Sequence, residues 1–240
     1  MAYCLVWEDQ FNIDGKPNPS IWNIETGGHG FGNNEDQYYT ANAKNIFVKD
    51  GLLNVVAYKE DYENRHYTSA KLTTQDKKII SYGKIEVMAK LPEGKGTWPA
   101  IWLLGQNMKQ VGWPMCGEID MVEHVGKNPN HFHFSLHAKD YNFHKNNQPT
   151  FVYQEDHMIE DFHEYSMVWD EKAISFFIDK KPMVRFEKGL KKTKAEWPYD
   201  DPFYLILNLA IGGWWGGEID DKIFPVSMLI KYVKIYERRD

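Results

Sequence analysis

The chain is 240 residues long, 42% hydrophobic and 15% aromatic, with nine tryptophans and a formal net charge of −6. That apolar content supports a sizeable core and excludes a compositionally disordered chain, and the acidic balance lacks the basic surplus of a nucleic-acid binder. No apolar run approaches the length of a membrane-spanning helix, and no basic segment followed by an apolar one opens the chain.

From Met1-Ala2 the chain passes at once into a strand-like run over residues 3–7. Further strands are expected at residues 45–48, 52–58, 84–90, 132–137, 165–169, 173–178, 203–209 and 228–236, all rich in β-branched and aromatic residues. Turn chemistry separates them, as in Lys49-Asp50-Gly51, Pro92-Glu93-Gly94 and Asp179-Lys180-Lys181-Pro182. Helical turns are expected only at 154–162 and 198–201, and the cationic run at 188–194 reads as a solvated loop. There is no internal repeat, low-complexity tract or dividing linker, so residues 1–240 read as a single domain. The fold class expected is all-β, a sandwich of two antiparallel sheets or a jelly roll. Two cysteines, Cys4 and Cys116, are too few for a disulfide scaffold, and two thiols are favoured over a bridge.

Several strands carry two faces. Ile85, Val87 and Ala89 alternate with charged residues, and Phe132, Phe134 and Leu136 alternate with His131, His133, Ser135 and His137. Such alternation implies one packed face and one that is wet or lines a cleft.

The most informative segment is Gly117-Glu118-Ile119-Asp120-Met121-Val122-Glu123-His124. Glu118 and Asp120 share a strand face, but Glu123 stands at an odd offset from Glu118 and would point the other way. A β-bulge near Met121-Val122 would turn it back. The two glutamate Cα atoms would then lie about 13 Å apart at roughly 3.3 Å per residue. Leaning side chains could close this to the separation of about 5–5.5 Å that a retaining glycosidase needs between its two carboxyls. Acids crowded on one face have pKa values pushed apart, as a nucleophile and a proton donor require. A merely solvated acidic strand is the competing reading. Acidic residues are poor strand formers, however, and these sit in Trp-rich, Gly-bounded sequence.

The run Glu118 to Glu123 resembles the signature of family 16 glycoside hydrolases, in the bulged form found in laminarinases. So do Leu5-Val6-Trp7, Phe31-Gly32-Asn33-Asn34-Glu35, Gln37-Tyr38-Tyr39-Thr40, Tyr67-Thr68-Ser69-Ala70, Tyr82-Gly83-Lys84-Ile85-Glu86 and Gly96-Thr97-Trp98-Pro99-Ala100-Ile101-Trp102. Trp113-Pro114, Pro202-Phe203, Leu207-Asn208-Leu209-Ala210, Gly212-Gly213 and Tyr232-Val233 complete the resemblance. It implies a concanavalin-like β-jelly-roll with a concave substrate cleft, and endo-acting, retaining hydrolysis of β-1,3-glucan or mixed-linkage β-1,3-1,4-glucan. By the same resemblance Glu118 would be the nucleophile, Asp120 its helper and Glu123 the acid/base. Expected substrate-binding residues are Asn34, Trp98, Trp102, Trp113, His137 and Trp215, with Trp98 and Trp102 sharing a face while Ile101 and Leu103 point inward.

The partner expected is a β-glucan polysaccharide or oligosaccharide, with no nucleic acid, no membrane and a monomeric protein. An extracellular or cell-surface location follows from a polymeric substrate. No cofactor is required. Many relatives carry a structural calcium, but Gln10 and Lys231 replace the acidic residues it would use, so that ion is expected to be absent. Lys71 stands where this branch often has arginine, which weakens a bidentate contact to sugar hydroxyls. Two rivals remain at this stage. One is a glucan-binding lectin on the same sandwich. The other is a metal enzyme built on His131, His133, His137 and nearby carboxylates, whose spacing is unspecific.

Overall fold

The computed structural model describes residues 2–190 and 192–239; Met1, Asp240 and Lys191 of the cationic run lie outside the described residues. Two sheets face each other. The ten-stranded sheet runs Lys181–Glu187, Ala173–Ile178, His163–Trp169, Gly83–Lys90, Val226–Arg239, Leu52–Tyr62, Arg65–Ser69 and Gln37–Tyr39. Ala2–Asp9 also pairs with Val226–Arg239, and Ile46–Lys49 with Leu52–Tyr62. The eight-stranded sheet runs Thr150–Gln154, His131–His137, Glu118–His124, Thr97–Gly105, Phe203–Ile211, Lys71–Thr73 and Asn23–Glu25, with Ile79–Ile80 added beside Phe203–Ile211. All pairings are antiparallel except Gln37–Tyr39 with Arg65–Ser69, which is parallel and departs from the purely antiparallel expectation.

One continuous core fills the space between the sheets. Ile85, Val87 and Ala89 meet Ile101, Leu103, Phe132, Phe134 and Leu136 in it, each essentially inaccessible to water. These are the apolar members of the alternating strands, because a pleat sends every second side chain inward. Phe203–Ile211 is buried along its whole length. Its Phe203, Leu205, Leu207 and Leu209 enter the main core, while Tyr204 and Ile206 join Leu104 and Cys116 in a smaller cluster under Trp102 and Trp113. That small cluster supports the floor of a cleft on the outer side of the eight-stranded sheet.

Each strand expected from the sequence is present, most of them a few residues longer, as in Leu52–Tyr62 and Val226–Arg239. The helical expectation at 154–162 reduces to one 3-10 turn, Met158–Glu160. Residues 198–201 form a turn, closed by Asp201 N–H donating to the Pro198 carbonyl at 3.1 Å. Cys4 and Cys116 are unpaired thiols. Burial, aided by the Glu118 charge, pushes the Cys116 thiol up to about 12, which makes it inert.

Candidate active site

The acid strand carries the expected bulge. Asp120 pairs with Ser135 and Glu123 with His133, so Met121 and Val122 together oppose Phe134 alone. On the other flank Ile101 pairs with Val122 and Trp102 with Asp120, leaving Met121 as the extra residue. Both Met121 and Val122 are fully buried. The core thus absorbs the additional side chain, and Glu123 returns to the face of Glu118 and Asp120. All three line a cleft of about 1030 Å³. The strand starts where it does because Gly117 adopts a φ of +81°, and a Cβ there would lie 2.6 Å from Pro198 and 2.9 Å from Phe203.

Each glutamate is held by an indole. Trp113 Nε1 donates to Glu118 Oε2 at 2.9 Å, and Trp98 Nε1 donates to Glu123 Oε1 at 3.0 Å. His137 Nε2 lies 3.2 Å from Asp120 Oδ2 and 3.7 Å from Glu118 Oε1. Burial pushes the carboxyls of Glu118, Asp120 and Glu123 up, each to about 8. The Asp120 charge adds to the rise at both glutamates and His137 opposes it; at Asp120 a hydrogen bond with Glu118 works the other way. Three such acids titrate as a unit, and the cluster retains protons at neutral pH while its members differ in support for charge. Glu118 has the His137 imidazole at 3.7 Å in addition to its indole N–H.

Trp98, Ala100 and Trp102 line the cleft while Ile101 and Leu103 enter the core, as the alternation requires. Trp113, His137 and Trp215 also line it. Trp215 packs edge-to-face on Trp98 at 5.4 Å and on His133 at 4.8 Å. Asn34 does not belong to this lining. It is exposed, at a φ of +54° in the turn before Glu35, and its neighbour Asn33 faces the cleft instead. Asn33 Nδ2 donates to Glu35 Oε1 at 3.1 Å. Two adjacent amides in a turn look alike in sequence, and only the backbone twist decides which one points inward.

Lining residues that were not singled out from the sequence include Glu35 and Asn208. Glu35 is buried and accepts from Gln37 Nε2 at 2.7 Å and Tyr39 OH at 3.2 Å, and burial raises its pKa. Asn208 accepts the Trp102 indole N–H at 2.7 Å and donates to Tyr39 OH at 3.0 Å, fixing the indole plane. A lone amide inside the apolar run Tyr204 to Ile211 was the available signal. Lys71 pairs with Glu25 at 3.0 Å, its ammonium 4.8 Å from the Phe31 ring centroid and 5.4 Å from that of Trp102. A point charge between two rings replaces the flat fork an arginine would offer.

Among the described residues the one group spaced to hold a metal ion is Glu118, Asp120 and His137, whose ligand atoms lie within 4.8 Å of one another. His131 and His133 are not part of it, so the three alternating histidines do not converge. The resemblance would put a structural calcium near Gln10 and Lys231. Gln10 and Lys231 are exposed, and Asp9 is committed to Phe11 N–H and Trp22 Nε1, both at 2.9 Å.

Residues 33–233 match the profile described as glycosyl hydrolases family 16. The chain is 43% identical to the beta-glucanase of Rhodothermus marinus, over 97% of this chain and 84% of that protein. It superposes on the laminarinase structure from Rhodothermus marinus with a TM-score of 0.96, at 40% identity and covering 100% of this chain and 99% of the other. It also superposes on a non-specific endo-β-1,3(4)-glucanase with a TM-score of 0.92, at 39% identity, covering 99% of this chain and 92% of that one.

Proposed function

Because the chain belongs to glycosyl hydrolase family 16, we propose that its cleft hydrolyses β-1,3-glucan internally, with retention, through Glu118 as nucleophile and Glu123 as acid/base. The observation that carries the assignment is the bulge at Met121-Val122, which brings both glutamates to one cleft face. Glu123 protonates the glycosidic oxygen as Glu118 attacks the anomeric carbon, and the leaving glucan departs with that proton. Glu123, now ionised, takes a proton from water, and the resulting hydroxide displaces Glu118 from the sugar. Asp120 and His137 position Glu118 and spread its charge. The indoles of Trp98, Trp102, Trp113 and Trp215 present flat apolar faces to pyranose rings.

A mixed-linkage β-1,3-1,4-glucanase is the second reading, supported by the likeness to a non-specific endo-β-1,3(4)-glucanase. Product analysis on laminarin, barley-type β-glucan and agarose, side by side, separates the two. We expect rapid appearance of short laminarioligosaccharides from laminarin, slower attack on barley glucan and none on agarose. Equal rates on laminarin and barley glucan would favour the second reading. A wild-type protein that binds laminarin but releases no reducing ends would be a lectin.

The enzyme is proposed to act as a monomer outside the cell or at its surface, since a polymeric glucan does not cross a membrane. No helix among the described residues is long and apolar enough to cross one. Catalysis is proposed to need no cofactor, and the family calcium to have been replaced. Chelator treatment should therefore leave the melting temperature unchanged, and a fall of several degrees in EDTA, reversed by added calcium, would overturn this.

A further inference from the structure

Of the nine tryptophans only Trp214 is exposed, at 64%, and across the cleft from it stands Phe143, itself 36% exposed. Their ring centroids are 6.5 Å apart with planes inclined at 57°. They come from segments far apart in sequence, each fastened beneath its exposed ring. Buried Asn142 donates to the Ala138 and Lys139 carbonyls at 3.0 and 3.1 Å, holding the turn Phe143–Lys145. On the opposite wall Trp214 N–H donates to the Asn33 carbonyl at 2.9 Å and Gly213 N–H to Asp36 Oδ2 at 3.1 Å. Gly212 permits this approach, because a Cβ there would sit 1.9 Å from Asp36 Oδ2.

The pair stands over one arm of the cleft. Phe143 packs on Trp113 at 5.4 Å and edge-on to His137 at 6.4 Å. Trp215, next to Trp214, packs on His133 at 4.8 Å. His133 and His137 lie on the strand beside the acids, on the side away from Lys71 and Asn208. The two arms differ in chemistry. On the Lys71 arm the polar groups are paired with one another, as in the chain Trp102–Asn208–Tyr39 and the pair Lys71–Glu25. On the other arm His133 Nε2, His137 Nδ1 and Gln148 Oε1 are buried without a protein partner. Burial, with the charges of His131 and His124, lowers His133 to about 4, so its ring is a neutral hydrogen-bonding group at working pH. A pyranose stacked between two aromatic faces needs about 7–8 Å at van der Waals contact. The 6.5 Å between Phe143 and Trp214 is too little, so a sugar on this arm runs beneath the pair.

We propose that Phe143 and Trp214 form an aromatic roof over the His133–His137 arm of the cleft, gripping the glucan against a polar floor of His133 and Gln148, with the His137 ring covered by Phe143. The roof determines how many sugars are held on that side of the cut bond. This rests on the glucanase reading above. Reducing-end-labelled laminarihexaose tests it with the wild type, Phe143→Ala, Trp214→Ala, the double variant and Trp214→Phe. Each alanine variant should raise KM roughly tenfold with kcat changed less than about threefold, as the loss of uniform binding to one or two sugars requires. The double variant should lose less than the product of the two, since the rings act on one sugar together. Trp214→Phe should keep most of the grip.

The preferred cleavage point should move along the labelled hexaose in one direction, and Lys71→Met, on the opposite arm, should move it in the other. Both rings are exposed, so melting temperatures should stay close to wild type. An unchanged KM and cleavage point in a folded Trp214→Ala and Phe143→Ala would overturn the roof alone. A wild type that cuts no labelled hexaose would overturn both the roof and the substrate reading.

Discussion

Glu118→Gln is expected to lower kcat on laminarin by roughly 10⁴-fold or more, and Glu123→Gln by about 10²–10⁴-fold, with both proteins folded. The two losses should differ in form. In the proposed roles Glu118 forms the bond to the anomeric carbon, so without its carboxylate no glycosyl-enzyme should appear whatever the leaving group. Glu123 moves protons only. A substrate with a dinitrophenyl leaving group needs no protonation, so Glu123→Gln should release one burst of phenolate and then stall before water attack. A burst from Glu118→Gln and none from Glu123→Gln would reverse the two roles. Asp120→Asn should lose less than either, because Asp120 acts through Glu118 rather than on the sugar. Its oxygen beside His137, at 3.2 Å, keeps its place in the isosteric amide or is replaced by a donor.

The same substitutions carry a stability signature. Burial lifts Glu118 and Glu123 from an ordinary 4.5, and Asp120 from 3.8, to about 8. Between those limits the folded chain binds more protons than the unfolded one, so stability falls as pH rises through the window. Replacing Glu118 or Glu123 with glutamine removes a charge the cleft disfavours while keeping its shape. Each variant should therefore melt above wild type, by roughly 2–4 °C for every kcal/mol recovered, for a chain of this size. The gap should be wide at pH 8.5 and narrow near pH 5, where the wild-type carboxyls are protonated as well. A gap independent of pH would count against burial as its cause. Catalysis and stability thus pull against each other at these residues, as expected where a site crowds partly buried acids together.

Of the strands that build the cleft floor, His131–His137 was legible because burial on one face imposes period two, and Phe203–Ile211, buried on both faces, because it is a continuous apolar run. His131–His137 announces both its core side and its cleft side. Asn23–Glu25, Lys71–Thr73 and Ile79–Ile80 span only two or three residues, too few for any alternation to emerge. They exist because neighbouring strands offer them hydrogen bonds. The acids were legible for a different reason. Carboxylates are disfavoured in strands, so a strand holding three needs a cause. What stayed hidden depends on backbone turns. Asn33 and Asn34 differ only in which of them the turn aims inward, and the meeting of Phe143 with Trp214 joins two loops whose separation no sequence spacing encodes.

Deleting Met121 is expected to leave the three carboxyls on one face, and with them measurable glucanase activity. Asp120 stays opposite Ser135 and Glu123 opposite His133, and Val122 then faces Phe134 one to one. Glu118, Asp120 and Glu123 become alternate residues of an unbulged strand, and regular pleating alone points them into the cleft. The cost is a fully buried methionine, about 2–5 kcal/mol by analogy with large-to-small core changes. Part of that is offset by completing the ladder. Deleting Met121 and Val122 together should do the opposite. Glu123 would follow Asp120 directly, its side chain would turn toward the core, and activity should vanish whether or not the chain folds. The contrast isolates side-chain parity from residue identity, since both deletions remove the bulge but only one restores the facing. A single deletion that melts cooperatively and keeps its β-sheet circular dichroism, yet has no activity on laminarin, would mean that the bulge also sets the spacing of the two glutamates along the sugar chain.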